Sequence, residues 1–361
     1  MKRLALALLL ALTAAACERK AAVPSVPDKA PVVDDAAAAT PASKTLAAVK
    51  ARGVLRCGVN PELAGFSHED AQGRRSGFDI DFCRALAAAV LGDASRVTYV
   101  PLSNDVRLAA LKAGQVDLLS RNTSWTFSRD AGEGVDFAGV SYYDGQGFLA
   151  PKDLTLQSAS DLSGAKICVQ SGSTSELNLR DWFRTRSINW QPVLAPTLDR
   201  ARADYERNIC DVLSADISAL ASARATLADQ SAHVLLPDVI SKEPMGPVVR
   251  QGDPGWTDVV RWTLNALVLA EELGVTAATA DRMRKESTSP EVRRLLGADT
   301  GYGRMLGLDD AWAYRAIRAV GSYGEVFDRN LGKDSALKLE RGQNALWSAA
   351  TPGLLYAPPL R

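Results

Sequence analysis

Three polar segments of the chain carry side chains that can bind a small charged molecule. The first, residues 120–129, reads SRNTSWTFSR and combines hydroxyl and amide groups with two arginines. The guanidinium of Arg129 can bind a carboxylate through two parallel hydrogen bonds, and Trp125 and Phe127 can form an aromatic wall. A solvated loop with a surface arginine explains the same residues equally well, so both interpretations stay open here.

The second segment, residues 170–176, reads QSGSTSE and lies where a strand is followed by a helix. Ser173 and Glu176 have the spacing of a capping box, which fixes a helix start. Backbone N–H groups and the helix dipole at such a start favour an anion, for example a carboxylate. A plain cap without a ligand is the more frequent meaning of this spacing, and the glycine and lysine positions of a phosphate-binding loop are missing.

Asp216 ends the third segment, which reads DVLSAD over residues 211–216. Its carboxylate can accept hydrogen bonds from an ammonium group, although an aspartate in such a place often caps a helix instead. An arginine, a helix start and a carboxylate together suit a small zwitterion. Neither His68 nor His233 has the spacing of metal ligands, and no nucleophile–base pair is recognisable, so we predict no metal, cofactor or catalytic group.

The elements that position these segments alternate between strand and helix, which predicts mostly parallel α/β sheets. The predicted strands are residues 54–59, 97–100, 116–120, 166–169 and 210–214. One predicted helix begins at Phe78, and three others cover residues 104–113, 173–183 and 199–206. All three polar segments follow the carboxyl end of a predicted strand, which is where open α/β sheets bind ligands.

A four-residue echo indicates that two similar lobes are present. The sequences DLLS at 117–120 and DVLS at 211–214 each follow a helix and a short turn. From about Asp258 onwards the chain reads as largely helical, and no third α/β unit follows. We therefore expect these last helices to pack on one of the two lobes.

Composition excludes several classes of protein. The 361 residues include 42 Lys+Arg and 42 Asp+Glu, so the chain has no basic field for binding nucleic acid. Hydrophobic residues make up 47% of the chain, which is enough for a packed core and excludes general disorder.

The N-terminal sequence predicts export. A basic start and an apolar run at residues 4–12 are typical of a secretory signal peptide, which we expect at residues 1–16. The small residues before Cys17 indicate either conventional cleavage or attachment of a lipid to Cys17, and we favour the lipid. Residues 17–44 are rich in Ala and Pro and predict a flexible tether, so that the lipid would be the protein's only contact with a membrane.

Four further cysteines, Cys57, Cys83, Cys168 and Cys210, are expected to form disulfides in an oxidising compartment. No C-x-x-C spacing is present to suggest a thiolate metal site. Four cysteines allow three pairings, and their number alone leaves the choice open.

Longer stretches of the sequence resemble a known family. They are spread over most of residues 45–361 and read GFDID (77–81), VDLLSRNTSW (116–125), YYDGQG (142–147), CVQSGSTSELN (168–178), ISKEPMG (240–246), DAWAY (310–314), GEVFDRN (324–330) and YAPP (356–359). In these stretches the chain resembles the periplasmic amino-acid-binding proteins of ABC importers, solute-binding protein family 3, and most closely the general L-amino-acid-binding subgroup.

The resemblance implies a type II periplasmic-binding-protein fold, in which two α/β lobes joined by two crossing strands close like a clamshell. Residues 45–148 would begin the first lobe, and residues 244–361 would return to it with a C-terminal helical extension. Residues 149–243 would form the second lobe, with the crossings near 146–151 and 241–249. The disulfides would be Cys57–Cys83 and Cys168–Cys210, since bridges within a lobe leave the clamshell free to move.

The resemblance also implies the roles of individual residues. Arg129 and Thr174 would bind the α-carboxylate of an amino acid, and Asp216 would bind its α-ammonium group. The rest of the expected ligand site is Asn122, Ser124 and Ser173. Arg121 stands where relatives often have smaller residues, and it would reach the ligand's side chain and favour acidic or amide ligands. Leu63 stands where many relatives place an aromatic lid.

The expected function is to capture L-amino acids in the periplasm and deliver them to the permease subunits of an ABC transporter. The protein is expected to be a monomer that is tethered through Cys17. An exported dehydratase acting on a prephenate-like acid is the alternative on the same fold. A ligand-sensing domain for a signalling partner is a third reading, disfavoured because no transmembrane helix or kinase segment is recognisable.

Overall fold

The structure is a computed structural model and describes residues 43–361. The expected signal peptide, the lipid site Cys17 and all but the end of the expected tether lie outside the described residues. Within residues 43–361, no helix combines the length and the apolar character needed to cross a bilayer.

The first lobe contains a five-stranded sheet. Across the sheet its strands are β4 (Val97–Pro101), β1 (Leu55–Val59), β5 (Leu118–Leu119), β14 (Val248–Arg250) and β6 (Val135–Phe137). The lobe also contains a hairpin of β2 (His68–Glu69) and β3 (Arg75–Ser76), and the helices α1 (Lys44–Arg52), α2 (Phe78–Leu91), α3 (Arg107–Lys112) and α4 (Phe127–Gly132). The strands β4, β1 and β5 are parallel, whereas β14 is antiparallel to both of its neighbours.

The second lobe repeats this arrangement. Its sheet runs β10 (Gln191–Ala195), β9 (Lys166–Gln170), β11 (Val212–Asp216), β8 (Gln146–Pro151) and β12 (His233–Leu235). Its helices are α5 (Thr174–Thr185), α6 (Leu198–Glu206) and α7 (Ile217–Ala225). Again the first three strands are parallel and the fourth is antiparallel to both neighbours. The expected α/β fold with two lobes is confirmed.

The lobes are joined by two short strands, β7 (Tyr142–Asp144) and β13 (Glu243–Met245), which pair antiparallel with each other. The crossing expected at residues 146–151 belongs instead to β8 of the second sheet. The lobe boundary expected between residues 148 and 149 therefore falls inside β8. The chain enters the second sheet directly after Gly145, because β8 pairs with β11 from Gln146 onwards.

The echo between residues 117–120 and 211–214 has a shared structural cause. Asp117 Oδ2 accepts a hydrogen bond from the backbone N–H of Arg56 at 2.8 Å, and Asp211 Oδ2 accepts one from that of Lys166 at 2.7 Å. In both places the aspartate N–H donates back to the carbonyl of the same partner, at 2.8 Å. Each aspartate thereby fixes the central strand of its sheet, β5 or β11, against the neighbouring strand, β1 or β9.

The C-terminal helices belong to the first lobe. They are α8 (Pro254–Glu272), α9 (Ala280–Glu286), α10 (Pro290–Leu295), α11 (Trp312–Val320) and α12 (Tyr323–Asn330). Of these, α8, α11 and α12 pack against α2, whereas α9 packs on α11 and α10 packs on α8. Apart from a short 3₁₀ turn at Gly342–Asn344, residues 331–361 are irregular. The amide side chain of Asn344 both accepts from the N–H of Tyr143 at 2.7 Å and donates to its carbonyl at 2.9 Å, so this segment is attached to β7.

Both expected disulfides are confirmed. Cys57 on β1 is bonded to Cys83 on α2, and Cys168 on β9 is bonded to Cys210 just before β11, with Cα–Cα distances of 6.2 and 5.7 Å. Each bridge lies within one lobe and involves the second strand of its sheet, β1 or β9. Neither bridge crosses the cleft between the lobes.

Candidate ligand-binding site

A cavity of about 50 Å³ lies between the two lobes, at the carboxyl ends of β5, β9 and β11. Six of the seven predicted ligand residues line it, and the seventh, Arg121, does not. The six residues are Asn122, Ser124, Arg129, Ser173, Thr174 and Asp216. The first three belong to the first lobe and the last three to the second, so a bound ligand would contact both lobes.

Arg129 lies on α4, whose start is capped by the hydroxyl of Thr126. Its Nη1 donates to the backbone carbonyl of Ser124 at 2.7 Å, which fixes the guanidinium against its own loop. Burial lowers the pKa of Arg129, while Glu243 and Asp216 nearby act in the opposite direction. An arginine side chain is protonated at physiological pH, so Arg129 is a cation and can bind a carboxylate.

The second lobe contributes the start of α5. Ser173 caps this helix, accepting from the N–H of Glu176 at 3.2 Å, so that half of the predicted capping box is present. The carboxylate of Glu176 accepts from the N–H of Gly172 at 2.9 Å rather than from Ser173. The hydroxyl of Thr174 donates to Glu243 Oε2 at 3.1 Å. The backbone amides at this helix start have no acceptor within the helix and therefore suit an anion.

Asp216 ends β11 and precedes α7, yet its side chain does not cap that helix. The capping role is taken by Asp144 of β7, whose Oδ2 accepts from the N–H of Ser218 at 3.2 Å and also from its hydroxyl. Asp216 is therefore left facing the cavity, and its Oδ1 has no hydrogen-bond partner among the described residues.

Electrostatics at Asp216 favour a cationic ligand group. Burial raises the pKa of Asp216 well above its usual value, and the carboxylates of Asp144 and Glu243 raise it further. Arg129 and Arg107 oppose this shift in pKa. An ammonium group at this carboxylate would stabilise its charged form, which burial disfavours.

Two residues of the loop after β5, in the first lobe, line the cavity. The backbone N–H of Asn122 donates to Asp79 Oδ2 at 3.2 Å, and its side-chain oxygen accepts from Asn60 at 2.8 Å. Ser124 is buried and holds Arg129 through its carbonyl. The amide nitrogen of Asn122 and the hydroxyl of Ser124 remain the groups that can reach a ligand from this loop.

Arg121 lines an adjacent cavity of about 90 Å³, which shares Asn104, Asn122 and other residues with the first. Its Nε donates to the carbonyl of Leu102 at 2.9 Å. Burial lowers the pKa of Arg121 to about 10, against the influence of buried Asp79, whose own pKa burial raises to about 7.

The apolar side chains that line the two cavities differ from those expected from the sequence. Leu63 is buried and lines neither cavity, whereas Leu198 of the second lobe lines both. The aromatic wall expected from Trp125 and Phe127 is absent from both linings: Trp125 stacks on Phe137 with ring centroids 5.2 Å apart, and Phe127 is 88% exposed.

The sequence reasoning missed Arg107, which lines the main cavity at the first residue of α3 and is only 4% exposed. Burial lowers its pKa well below the usual value, and the charges of Arg121 and Arg129 lower it further. It also missed Glu243 of β13, which is held by Thr174, Asn178 and Ser241 behind the cavity. The signal for Arg107 was its place after the carboxyl end of β4, on the edge where the other site residues were predicted.

Two topologically similar lobes, two crossing strands and a polar cavity between the lobes define a two-lobed ligand-binding protein. The comparison with known families identifies which kind. Residues 55–277 match the family of bacterial extracellular solute-binding proteins, family 3, and the chain belongs to this family. Within residues 43–361, no group of three or more His, Cys, Asp or Glu residues is placed to hold a metal ion.

Relatives share almost the whole chain. This chain is 50% identical to the general L-amino acid-binding periplasmic protein AapJ of Rhizobium johnstonii, over 90% of this chain and 95% of that one. It is 49% identical to the glutamate/glutamine/aspartate/asparagine-binding protein BztA of Rhodobacter capsulatus, over 88% of this chain and 94% of that one.

A solved relative has the same architecture. It is an ABC transporter periplasmic binding protein from Brucella ovis with glutathione bound, 49% identical to this chain. The match covers 88% of this chain and 99% of the other, with a TM-score of 0.85.

Proposed function

We propose that the protein is the solute-binding component of an ABC importer and captures free L-amino acids in the periplasm. The single observation that carries this is the cavity between the lobes, which places a guanidinium, a helix start and an unpaired carboxylate around one small volume. Its close relatives are described as amino-acid-binding proteins, which supports the same conclusion.

The two charged ends of an amino acid match the two charged sides of the cavity. Arg129 and the amide of Thr174 bind the α-carboxylate in this proposal, and Asp216 binds the α-ammonium group. The hydroxyl of Thr174 is already donating to Glu243, so its amide is the better donor for the ligand. Asn122, Ser124 and Ser173 add hydrogen bonds around these charges.

Binding would favour the closed arrangement of the lobes. Arg129 belongs to the first lobe, whereas Thr174 and Asp216 belong to the second. A ligand held by both sides completes its contacts only when the lobes are close, and it therefore shifts the protein towards closure. The hydroxyl of Ser222 on α7 already donates to the carbonyl of Ala64 in the first lobe at 2.7 Å.

Calorimetry on the purified, ligand-free protein tests this function. We expect binding of several L-amino acids and much weaker binding of their D-enantiomers and of the corresponding amines that lack the α-carboxylate. Glutathione belongs in the panel because it is bound by the Brucella ovis relative. Absence of binding to all twenty amino acids would contradict the proposal.

The remaining proposals concern location and partners. The protein acts as a periplasmic monomer, is held at a membrane through a lipid on Cys17, and delivers its ligand to permease subunits. The tether-like composition of residues 17–44 and the small residues before Cys17 support the anchor. Cys17→Ser should move the protein from the membrane fraction to the soluble fraction, and a wild-type protein that is already soluble would contradict the anchor alone.

A further inference from the structure

Arg107 and Arg129 line the same cavity and have the same edge of the guanidinium free. In each, Nη1 is the nitrogen held by the protein, by Asn104 for Arg107 and by Ser124 for Arg129. The Nε and Nη2 groups of both side chains make no hydrogen bond to the residues that the structure describes. This side-on edge can donate two parallel hydrogen bonds to one carboxylate.

Arg107 is the more deeply buried of the two. Its side chain lines the cavity, the residue is only 4% exposed, and its Nε is buried without a partner. Folded proteins rarely leave a buried charged donor without an acceptor, because the loss of hydration is then uncompensated. Such a donor at the wall of a ligand cavity indicates a site for an anionic group of the ligand.

The charges that line the cavity support a ligand with a second carboxylate. They are the cations Arg107 and Arg129 and the anion Asp216, which together give a net charge of +1 at the cavity wall. Glu243 lies behind this wall and acts on Arg129 rather than on Arg107. An amino acid with an uncharged side chain has no net charge and leaves this excess in place. A dicarboxylic amino acid carries a net charge of −1 and neutralises it.

Other carboxylates do not replace this ligand group at Arg107. Those that act on its charge are Asp216, which the ligand's ammonium group requires, and Asp105, which is exposed. Arg121 differs in this respect, because its charge is opposed by the buried carboxylate of Asp79. Arg107 is therefore the arginine of this cluster that lacks a counter-ion of its own.

We infer that Arg107 binds a carboxylate on the ligand's side chain and makes the protein selective for dicarboxylic L-amino acids over their amides. This inference rests on the proposed function, with Arg129 binding the α-carboxylate. Arg107 thus acts as a specificity-determining residue, whereas Arg129, Thr174 and Asp216 bind the α-carboxylate and α-ammonium groups that all amino acids share.

The test compares isosteric ligands by calorimetry: glutamate with glutamine, and aspartate with asparagine. We expect the wild-type protein to bind glutamate at least about tenfold more tightly than glutamine. Arg107→Met should weaken glutamate by about 30-fold or more and glutamine by less than about threefold, because only glutamate loses a charged partner. Arg107→Lys keeps the charge but loses the pair of parallel hydrogen-bond donors. Its affinity for glutamate should therefore lie between those of the wild-type protein and Arg107→Met.

Arg56→Met is the matched control, because Arg56 also has a buried Nε without a partner but lines neither cavity. It should leave the ratio of glutamate to glutamine affinity unchanged. Equal losses for all ligands in Arg107→Met would overturn the inference, since Arg107 would then act only through Asp216. A wild-type protein that prefers glutamine would overturn it without any variant, while the amino-acid function would stand.

Discussion

The carboxyl ends of β5 and β11 are equivalent places that carry opposite charges. Both strands are third in their sheets, and both are fixed by an aspartate that bonds the neighbouring strand. After DLLS the first lobe continues with Arg121 and Asn122, and after DVLS the second continues with Ala215 and Asp216. The same backbone frame thus presents cations from one side of the cleft and a carboxylate from the other.

This difference shows how a repeated architecture can bind an unsymmetrical ligand. The two sheets need only to bring the carboxyl ends of β5 and β11 to opposite sides of the cleft. The residues at and after each strand end then determine the sign of the charge that faces the cleft. In the function that we propose, a zwitterion is oriented across the cleft with its carboxylate towards the arginines of the first lobe. Changes made in one lobe at a time test whether each side of the cleft contributes its own charge.

The largest effect is expected from removing one charge on either side of the cleft. Arg129→Ala and Asp216→Ala should each weaken every amino-acid ligand by about 2–5 kcal/mol, because the ligand's opposite charge is left buried and unpaired. Calorimetry with glutamate, glutamine, leucine and alanine measures this, and Asp211→Asn is the control, because Asp211 is exposed and directly precedes β11. A loss confined to ligands with one class of side chain would show that the α-carboxylate and α-ammonium groups are bound by other residues.

Removing one disulfide at a time compares how much each bridge contributes to the free energy of unfolding. Cys57→Ala/Cys83→Ala and Cys168→Ala/Cys210→Ala should each lower the free energy of unfolding by about 2–4 kcal/mol. The sequence separations are 26 and 42 residues, so the second bridge should contribute about 0.4 kcal/mol more by the loop-length relation. Urea unfolding of both variants measures the difference, and a much larger cost for the first bridge would mean that packing rather than loop length decides.

A smaller effect is expected at the two repeated aspartates. Asp117 is 1% exposed and also pairs with Arg52 and Arg56, whereas Asp211 is exposed. Asp117→Asn should cost about 1–3 kcal/mol of unfolding free energy, because it disturbs a buried charged network. Asp211→Asn should cost less than about 1 kcal/mol. Equal costs would show that the shared backbone bond, and not the burial, determines the contribution.

The smallest effect in the neutral range is expected from pH. The pKa of Asp216 is raised by burial and by Asp144 and Glu243, and an ammonium ligand requires its charged form. Ligand affinity should therefore fall as the pH falls, by at most about tenfold per pH unit, and binding should release protons near the raised pKa. Calorimetry from pH 8 to pH 5 tests the sign, and a rise in affinity on acidification would contradict it.

The sequence was informative where local patterns determine structure. The start of α5 at Ser173, the strand β9 and the helix α2 were predicted from capping and apolar spacing, and the structure has them within one or two residues. The polar segments were predicted from their place after strands, and the resemblance to a family supplied the individual ligand residues, most of which line one cavity. The resemblance to a family supplied the pairing of the cysteines, which their number left open.

Other features depend on tertiary contacts that no local pattern reveals. An aspartate in the position of Asp216 is more often a helix cap, and only the approach of Asp144 from β7 assigns the cap elsewhere. Arg107 looked like an ordinary polar residue of a short helix, since the cavity that it lines is formed by residues of both lobes. The crossing strands are three residues each, too short for an alternating pattern to mark them.

The place of β14 in the first sheet sets an order for folding during synthesis. The second sheet is built from one continuous stretch and has all its strands once Leu235 has emerged. The first sheet lacks the strand between β5 and β6 until Arg250 has emerged, and α2 lacks its helical partners until about Asn330. The second lobe can therefore finish while the first is still incomplete.

The pairing of the cysteines suits this order. Among Cys57, Cys83, Cys168 and Cys210, each bridge joins neighbours along the chain. A thiol that reaches an oxidising compartment first thus meets its native partner before either cysteine of the other lobe arrives. A chain that is threaded through a membrane from its N-terminus would then need little help from a disulfide isomerase.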